Sequence, residues 1–148
     1  MVNTMVPTPA LAPVAEVFPD AEAVVGAYLT GRPELANVPV GATPPTGHDG
    51  TTPAVVLIRD GGSYREDEVL DDAQVRIETY GPTPTAAHEL MRTVRALLAG
   101  ITHVVYSGYA VSGLSEEMGL RGLRRLTDRG DPAKTRYVLN IRLLIRVQ

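Results

Sequence analysis

The residues able to do chemistry in this 148-residue chain are few and scattered. No cysteine is present, which removes thiolate nucleophiles, thiolate zinc sites and disulfides together. Three histidines, His48, His88 and His103, lie far apart in sequence. His88-Glu89 has no second histidine one helical turn on, so the spacing of a zinc-protease helix is missing. Ser115 follows Gly113 but precedes Glu117, so no G-x-S-x-G nucleophile elbow forms. Gly61-Gly62 lacks the Lys-Ser/Thr and the following helix of a phosphate loop. The acidic pairs Asp71-Asp72 and Glu116-Glu117 are adjacent residues. On a strand these point to opposite faces, so neither makes a proton-sharing dyad; solvated turn charges are the expectation. Catalytic, cofactor and metal sites are therefore all expected to be absent.

One charge pattern remains. Residues 60–72 hold Asp60, Glu66, Asp67, Glu68, Asp71 and Asp72 against the single Arg65, and residues 121–129 hold Arg121, Arg124, Arg125 and Arg129 against Asp128. Two readings stand side by side. Either both segments are solvated loops, or they are opposite patches that meet between subunits and set register and partner choice. The candidate contact residues are then Glu66, Asp67, Glu68, Asp71, Arg121, Arg124, Arg125 and Arg129. Basic residues without interleaved aromatics make a weak nucleic-acid signal.

The elements that would carry these segments are legible from caps and periods. Asp20 caps a helix over residues 21–30, with Glu22 in its positive first turn, an apolar stripe of Ala21, Val24, Val25, Tyr28 and Leu29, and Gly31 as its stop. Five prolines between 33 and 53 leave a short extended piece near 38–40 and a long loop. Residues 54–59 read as a strand ending at the turn signal Asp60-Gly61-Gly62, and 72–80 as a strand alternating Ala73, Val75, Ile77 and Thr79 against polar residues. Thr83-Pro84 opens a second helix running to about Ala99, striped by Ala87, Leu90, Met91, Val94, Leu97 and Leu98. Residues 104–111 read as a strand with a bulge at Gly108. Residues 137–147 give the longest alternation, Tyr137, Leu139, Ile141, Leu143, Ile145 and Val147 facing inward. This order predicts an α+β domain, a single mostly antiparallel sheet with both amphipathic helices packed on one face. Residues 1–18, with Pro7, Pro9 and Pro13, form an extended arm before a domain spanning 19–148.

Composition sets the remaining bounds. The chain is 44% apolar and 21% charged with one phenylalanine and no tryptophan, so it is globular with an aliphatic core. A formal charge of −3 gives no broad attraction to nucleic acid or anionic lipid. No apolar run approaches the roughly 20 residues of a membrane helix, and no signal peptide opens the chain.

The start Phe18-Pro19-Asp20-Ala21-Glu22 is similar to that of the tail terminators of long-tailed, siphovirus-type phages of actinobacteria. So are Val75-Arg76-Ile77-Glu78-Thr79-Tyr80, the helix with Ala86, Ala87, His88, Leu90 and Arg95-Ala96-Leu97-Leu98, and the ending Asp131-Pro132, Arg136-Tyr137, Arg142 and Arg146. The resemblance covers about residues 17–148 and departs at 108–130. It implies a non-enzymatic virion protein made in the host cytoplasm. In that family a hexameric ring caps the finished tail tube, ends its polymerisation and meets the head connector, while DNA passes through the lumen. Another neck or tail-completion protein would share this pattern. A small ligand-binding domain would instead need a pocket with converging polar groups.

Overall fold

The structure, a computed structural model, describes residues 20–65, 70–103, 105–106, 108–117, 122–127 and 134–147. The arm before Asp20 lies outside them.

Helix α1 (Ala21–Thr30) starts where a cap is available: the Ala23 amide donates to Asp20 Oδ1 at 3.2 Å. Its buried residues are Ala21, Val24, Val25, Tyr28 and Leu29, the stripe expected from the 3.6-residue period. The stop has a different cause from the one expected. Gly31 sits at an ordinary φ of −80°, and Pro33 ends the helix by holding Arg32 extended. A 3-10 turn at Pro33–Leu35 then tucks Leu35 into the core.

Strand β1 (Val40–Gly41) runs parallel to the start of β2 (Ala54–Arg65). Strand β2 does not stop at Arg59. Register passes from Arg59 opposite Val75 to Gly61 opposite Gln74, so Asp60-Gly61-Gly62 is a β-bulge within a longer strand, not a turn. Gly62 has φ +108°, and a Cβ there would lie 2.1 Å from the Asp72 carbonyl oxygen, which is why the position excludes side chains. The hairpin connection falls at 66–69, outside the described residues. Strand β3 (Leu70–Tyr80) accordingly starts two residues earlier than expected and takes in Asp71 and Asp72.

Thr83 caps α2 (Pro84–Leu98) by accepting from the Ala86 amide at 3.0 Å, with Pro84 at the first helical position. Gly81 allows the helix to pack close, since a Cβ there would lie 2.7 Å from the Ala87 nitrogen. Gly108 is a hairpin turn between β4 (Val105–Tyr106) and β5 (Tyr109–Glu116), not the expected bulge. Its φ of +80° is what a two-residue reversal asks for. Strand β5 also continues through residues the sequence left unassigned, held by pairing with β7 (Thr135–Val147). A short β6 (Arg124–Thr127) pairs with the start of β7.

The sheet order is β1-β2-β3-β7-β5-β4, antiparallel except for β1 with β2. Its inner face presents Val55, Leu57, Ala73, Val75, Ile77, Leu139, Ile141, Leu143 and Ile145, and both helices pack there. The α+β architecture is the one expected. Each fully buried Val, Leu or Ile contributes about 1.5–3 kcal/mol through area removed from water. Polar groups on this face are satisfied locally: Thr79 donates to the Ala87 carbonyl at 2.9 Å, and Tyr28 donates to the Leu97 carbonyl, joining α1 to the end of α2. Arg95 and Glu116 fasten α2 to β5 with bonds of 2.7 and 2.9 Å.

Ile141 lies at the centre of this face, opposite Val75 and Glu116, with no exposed surface. Ile141→Ala is expected to cost about 2–5 kcal/mol in urea unfolding. A loss below about 0.5 kcal/mol, the range of surface changes, would place this face in solvent.

Candidate assembly interface

The oppositely charged segments occupy opposite ends of the sheet. The β2–β3 hairpin grows from the end where Leu70 faces Arg146, and its tip residues Glu66, Asp67 and Glu68 lie outside the described residues. Strand β6 holds Arg124 opposite Val138 and Arg125 opposite Tyr137, both arginines exposed. Arg121 and Arg129 also fall outside the described residues. Strand β7 serves as a ruler: eight residues separate Val138 from Arg146, about 27 Å at the antiparallel rise. Within one chain, Arg124 and Arg125 cannot reach the root of the acidic hairpin.

Asp71 is placed differently from the solvated carboxylate expected. It lies on the inner face of β3, 2% exposed, and both its oxygens accept from Arg59 at 2.6 and 2.8 Å. The carboxylate holds the Arg59 guanidinium above its ordinary pKa through these hydrogen bonds. Asp72 points to the other face and is also buried, paired with Arg142 through Nη2 and, at 3.2 Å, through Nε. Neither is a turn charge. The register brings each beside an arginine from a neighbouring strand, and burial then demands the pair. Asp71 therefore belongs to the fold, leaving 66–68 as the acidic tip.

The outer face is also paired. Glu78, 6% exposed, sits between Arg76 at 3.5 Å and Arg136 at 3.3 Å and accepts from the Tyr80 hydroxyl at 3.2 Å. Burial, with Glu78 beside it, raises the Tyr80 phenol above its ordinary value. The His48 ring meets Tyr80 edge to face at 5.1 Å, so the 42–53 loop folds against this end. That loop is built on Asp49, whose Oδ1 accepts from the Thr51 amide and hydroxyl at 2.8 and 2.7 Å and from the Thr52 amide at 3.2 Å. His48 Nδ1 accepts from the Gly50 amide at 3.0 Å, so its Nε2 donates to the Thr52 carbonyl. Among the described residues, no three His, Asp or Glu side chains converge on a metal position, and no helix is long and apolar enough to cross a membrane.

The edges of the sheet complete the geometry. On one side β1 reaches only Val55 and Val56 of β2; on the other β4 reaches only Tyr109 and Ala110 of β5. No other described strand lies beyond either edge.

No protein-family model matches this chain, and no curated protein matches its sequence. Among solved structures, a chain from the virion of a native gene transfer agent particle is similar to it. The match covers 84% of this chain and 93% of that one, with a TM-score of 0.59 and 18% sequence identity. At that identity the likeness is one of fold. It takes in most of both chains.

Sequence reasoning missed Arg59, Arg136 and Arg142 as partners. Charge alone could have flagged them, but only the strand register says which carboxylate each one meets. Arg59→Ala is expected to destabilise the fold by about 1–3 kcal/mol, because it leaves the buried Asp71 unpaired. Arg125→Ala, on the exposed face of β6, is expected to stay within about 0.5 kcal/mol. Urea midpoints check both, and equal losses would put Asp71 in solvent. Hydrogen bonds from Thr51, then Thr52, hold the Asp49 carboxyl well below its usual range. The folded value lies below the unfolded one, so this ordering is complete above about pH 4 and fades as pH falls further. The Thr51 amide shift is expected to move as the pH falls below that point; a shift that stays constant there would place the Asp49 carboxyl outside this turn.

Proposed function

We propose that this chain is a structural virion protein of a long-tailed phage, a tail terminator at the head-proximal end of the tail. Six copies form a ring that caps the tail tube, ends its polymerisation and joins it to the head connector. The observation that carries this reading is the fold likeness to a chain from a gene transfer agent virion over nearly the whole of both chains.

The geometry supports a ring in particular. Closure by rotation needs a heterologous interface, two different surfaces on each subunit. This fold has an acidic hairpin at one end of its sheet and a basic strand at the other, too far apart to satisfy each other within a chain. Two such surfaces of opposite sign on one copy can face each other across a boundary between copies. An exposed pairing contributes only about 0–1 kcal/mol, yet repeated at every interface it decides which neighbouring edge is accepted. The partners follow from this reading: further copies of the chain, the tail tube protein and a neck protein. DNA would pass through the lumen without sequence-specific contact. Six copies at −3 each carry −18, which disfavours sticking to a polyanion. A different head–tail joining protein would draw on the same fold likeness, and the tail phenotype separates the two.

Reversing Glu66, Asp67 and Glu68 to Lys is expected to leave the monomer folded and to abolish ring formation and tail capping. Reversing Arg121, Arg124 and Arg125 to Glu in the same chain should partly restore both. Electron microscopy of tails assembled with each variant is the measurement. Normal-length tails from the first triple variant would return both segments to solvent and remove the charge-register account.

A further inference from the structure

The nineteen residues before Asp20 have an unusual composition for a soluble protein: a single charge, Glu16, four prolines, and otherwise mostly Val, Ala, Met and Leu, with the chain's only phenylalanine at Phe18. A segment of this length is too short to bury its own apolar surface, and leaving that surface in water is unfavourable. Its prolines fix φ in the extended polyproline range, so little further order is lost when it lies along a surface.

The domain offers a surface that fits. A groove of about 340 Å³ runs between α1 and β1, with Ala23, Gly26 and Ala27 on the helix side, Val40 and Ala42 opposite, and Leu57 as its floor. Beyond Glu22 the helix wall is Ala23, Gly26 and Ala27, with no side chain larger than a methyl group, and a Cβ built on Gly26 would already lie 3.6 Å from Leu57 Cδ1. Polar groups stand only at one end, where Asp20 and Glu22 lie, and Asp20 Oδ1 is engaged by the Ala23 amide. A small-molecule site would need converging polar groups, and apart from Asp20 and Glu22 the lining side chains are apolar. An uncharged, extended peptide of small residues matches them.

We propose that this groove receives the proline-rich segment around residues 6–13 of a second copy of this chain, an inference that rests on the ring reading above. Asp20 is one of the groove's lining residues, so the preceding chain joins the domain beside the groove. Residues 14–19 contain none of the Gly, Asn, Asp or Ser that reverse a chain, and a proline at position 19 disfavours helical backbone at the residue before it. At the polyproline rise these six residues would span roughly 19 Å, and the fourteen from Val6 onward about 43 Å. A domain of this size is about 36 Å across. The segment therefore reaches the neighbouring copy more directly than it returns to its own groove. In a ring, each copy would give its segment to the next and receive one in turn, a closed cycle of identical exchanges.

The chain has no cysteine, so an introduced one is unique. Full-length A10C and A27C chains are mixed and mildly oxidised, with A10C plus E89C, on the exposed face of α2, as the control. Interchain disulfide between A10C and A27C is expected to exceed the control by about tenfold or more, through raised effective concentration. Adding Ala23→Trp to the A27C chain should fill the groove and abolish the excess; if a melt shows that this chain unfolds, Ala42→Trp replaces it. Crosslinking no better than the control would overturn the inference. So would an A10C/A27C double variant that closes only on itself, which places the segment in its own groove. Light scattering on the unoxidised samples separates the two ideas. An oligomer with control-level crosslinking loses the segment exchange and keeps the ring, whereas a monomer with control-level crosslinking loses both.

Discussion

The structure depends on one ladder. Strands β3 and β7 pair in unbroken antiparallel register from Leu70 opposite Arg146 to Tyr80 opposite Arg136. Side chains alternate with period two, so this register puts Ala73, Val75 and Ile77 beside Leu139, Ile141 and Leu143 on one face and sends every charge of the two strands except Asp71 to the other. A slip of one residue would reverse both faces. The remaining elements answer to that aliphatic surface. Neither helix would hold by propensity alone; each is kept by an apolar stripe lying on the face the ladder creates. With a single phenylalanine in the chain, the core is filled by branched aliphatics, whose fit on a pleated surface suits the long strands.

The same ladder arranges the charges. Where the register brings carboxylate and guanidinium together they pair, and the carboxylate is buried: Arg59 with Asp71, Arg142 with Asp72, and Arg136 from β7 with Arg76 from β3 itself around Glu78. The exposed arginines of β6 stand at the opposite end of β7 from the acidic hairpin. The internal pairs thus belong to stability. The separation of acidic hairpin and basic strand supports the ring we propose.

Both helices were legible in the sequence to within a residue, because caps and a 3.6-residue stripe are local signals. The last strand was legible for the same reason, its alternation being long and clean. Glycine was the main source of error. Gly61-Gly62 and Gly108 each marked a place where the backbone does something a side chain forbids. Whether that is a turn or a bulge depends on which strand lies alongside, and that is long-range information. Residues 113–116 carried no period and became strand only by pairing with β7. The charge segments were visible as an inventory, but not their sides. Asp71 and Arg59 are twelve residues apart and meet only across the bulged hairpin. Reading Asp71 as solvated followed from ending β2 too early.

The central claim is that two different ends of one subunit complete each other around a closed cycle. Native mass spectrometry of the unsubstituted full chain tests it most directly. The account predicts a single dominant species of six chains that persists on dilution. A monomer at every concentration, or an open-ended ladder of oligomers with no preferred closure, would contradict it.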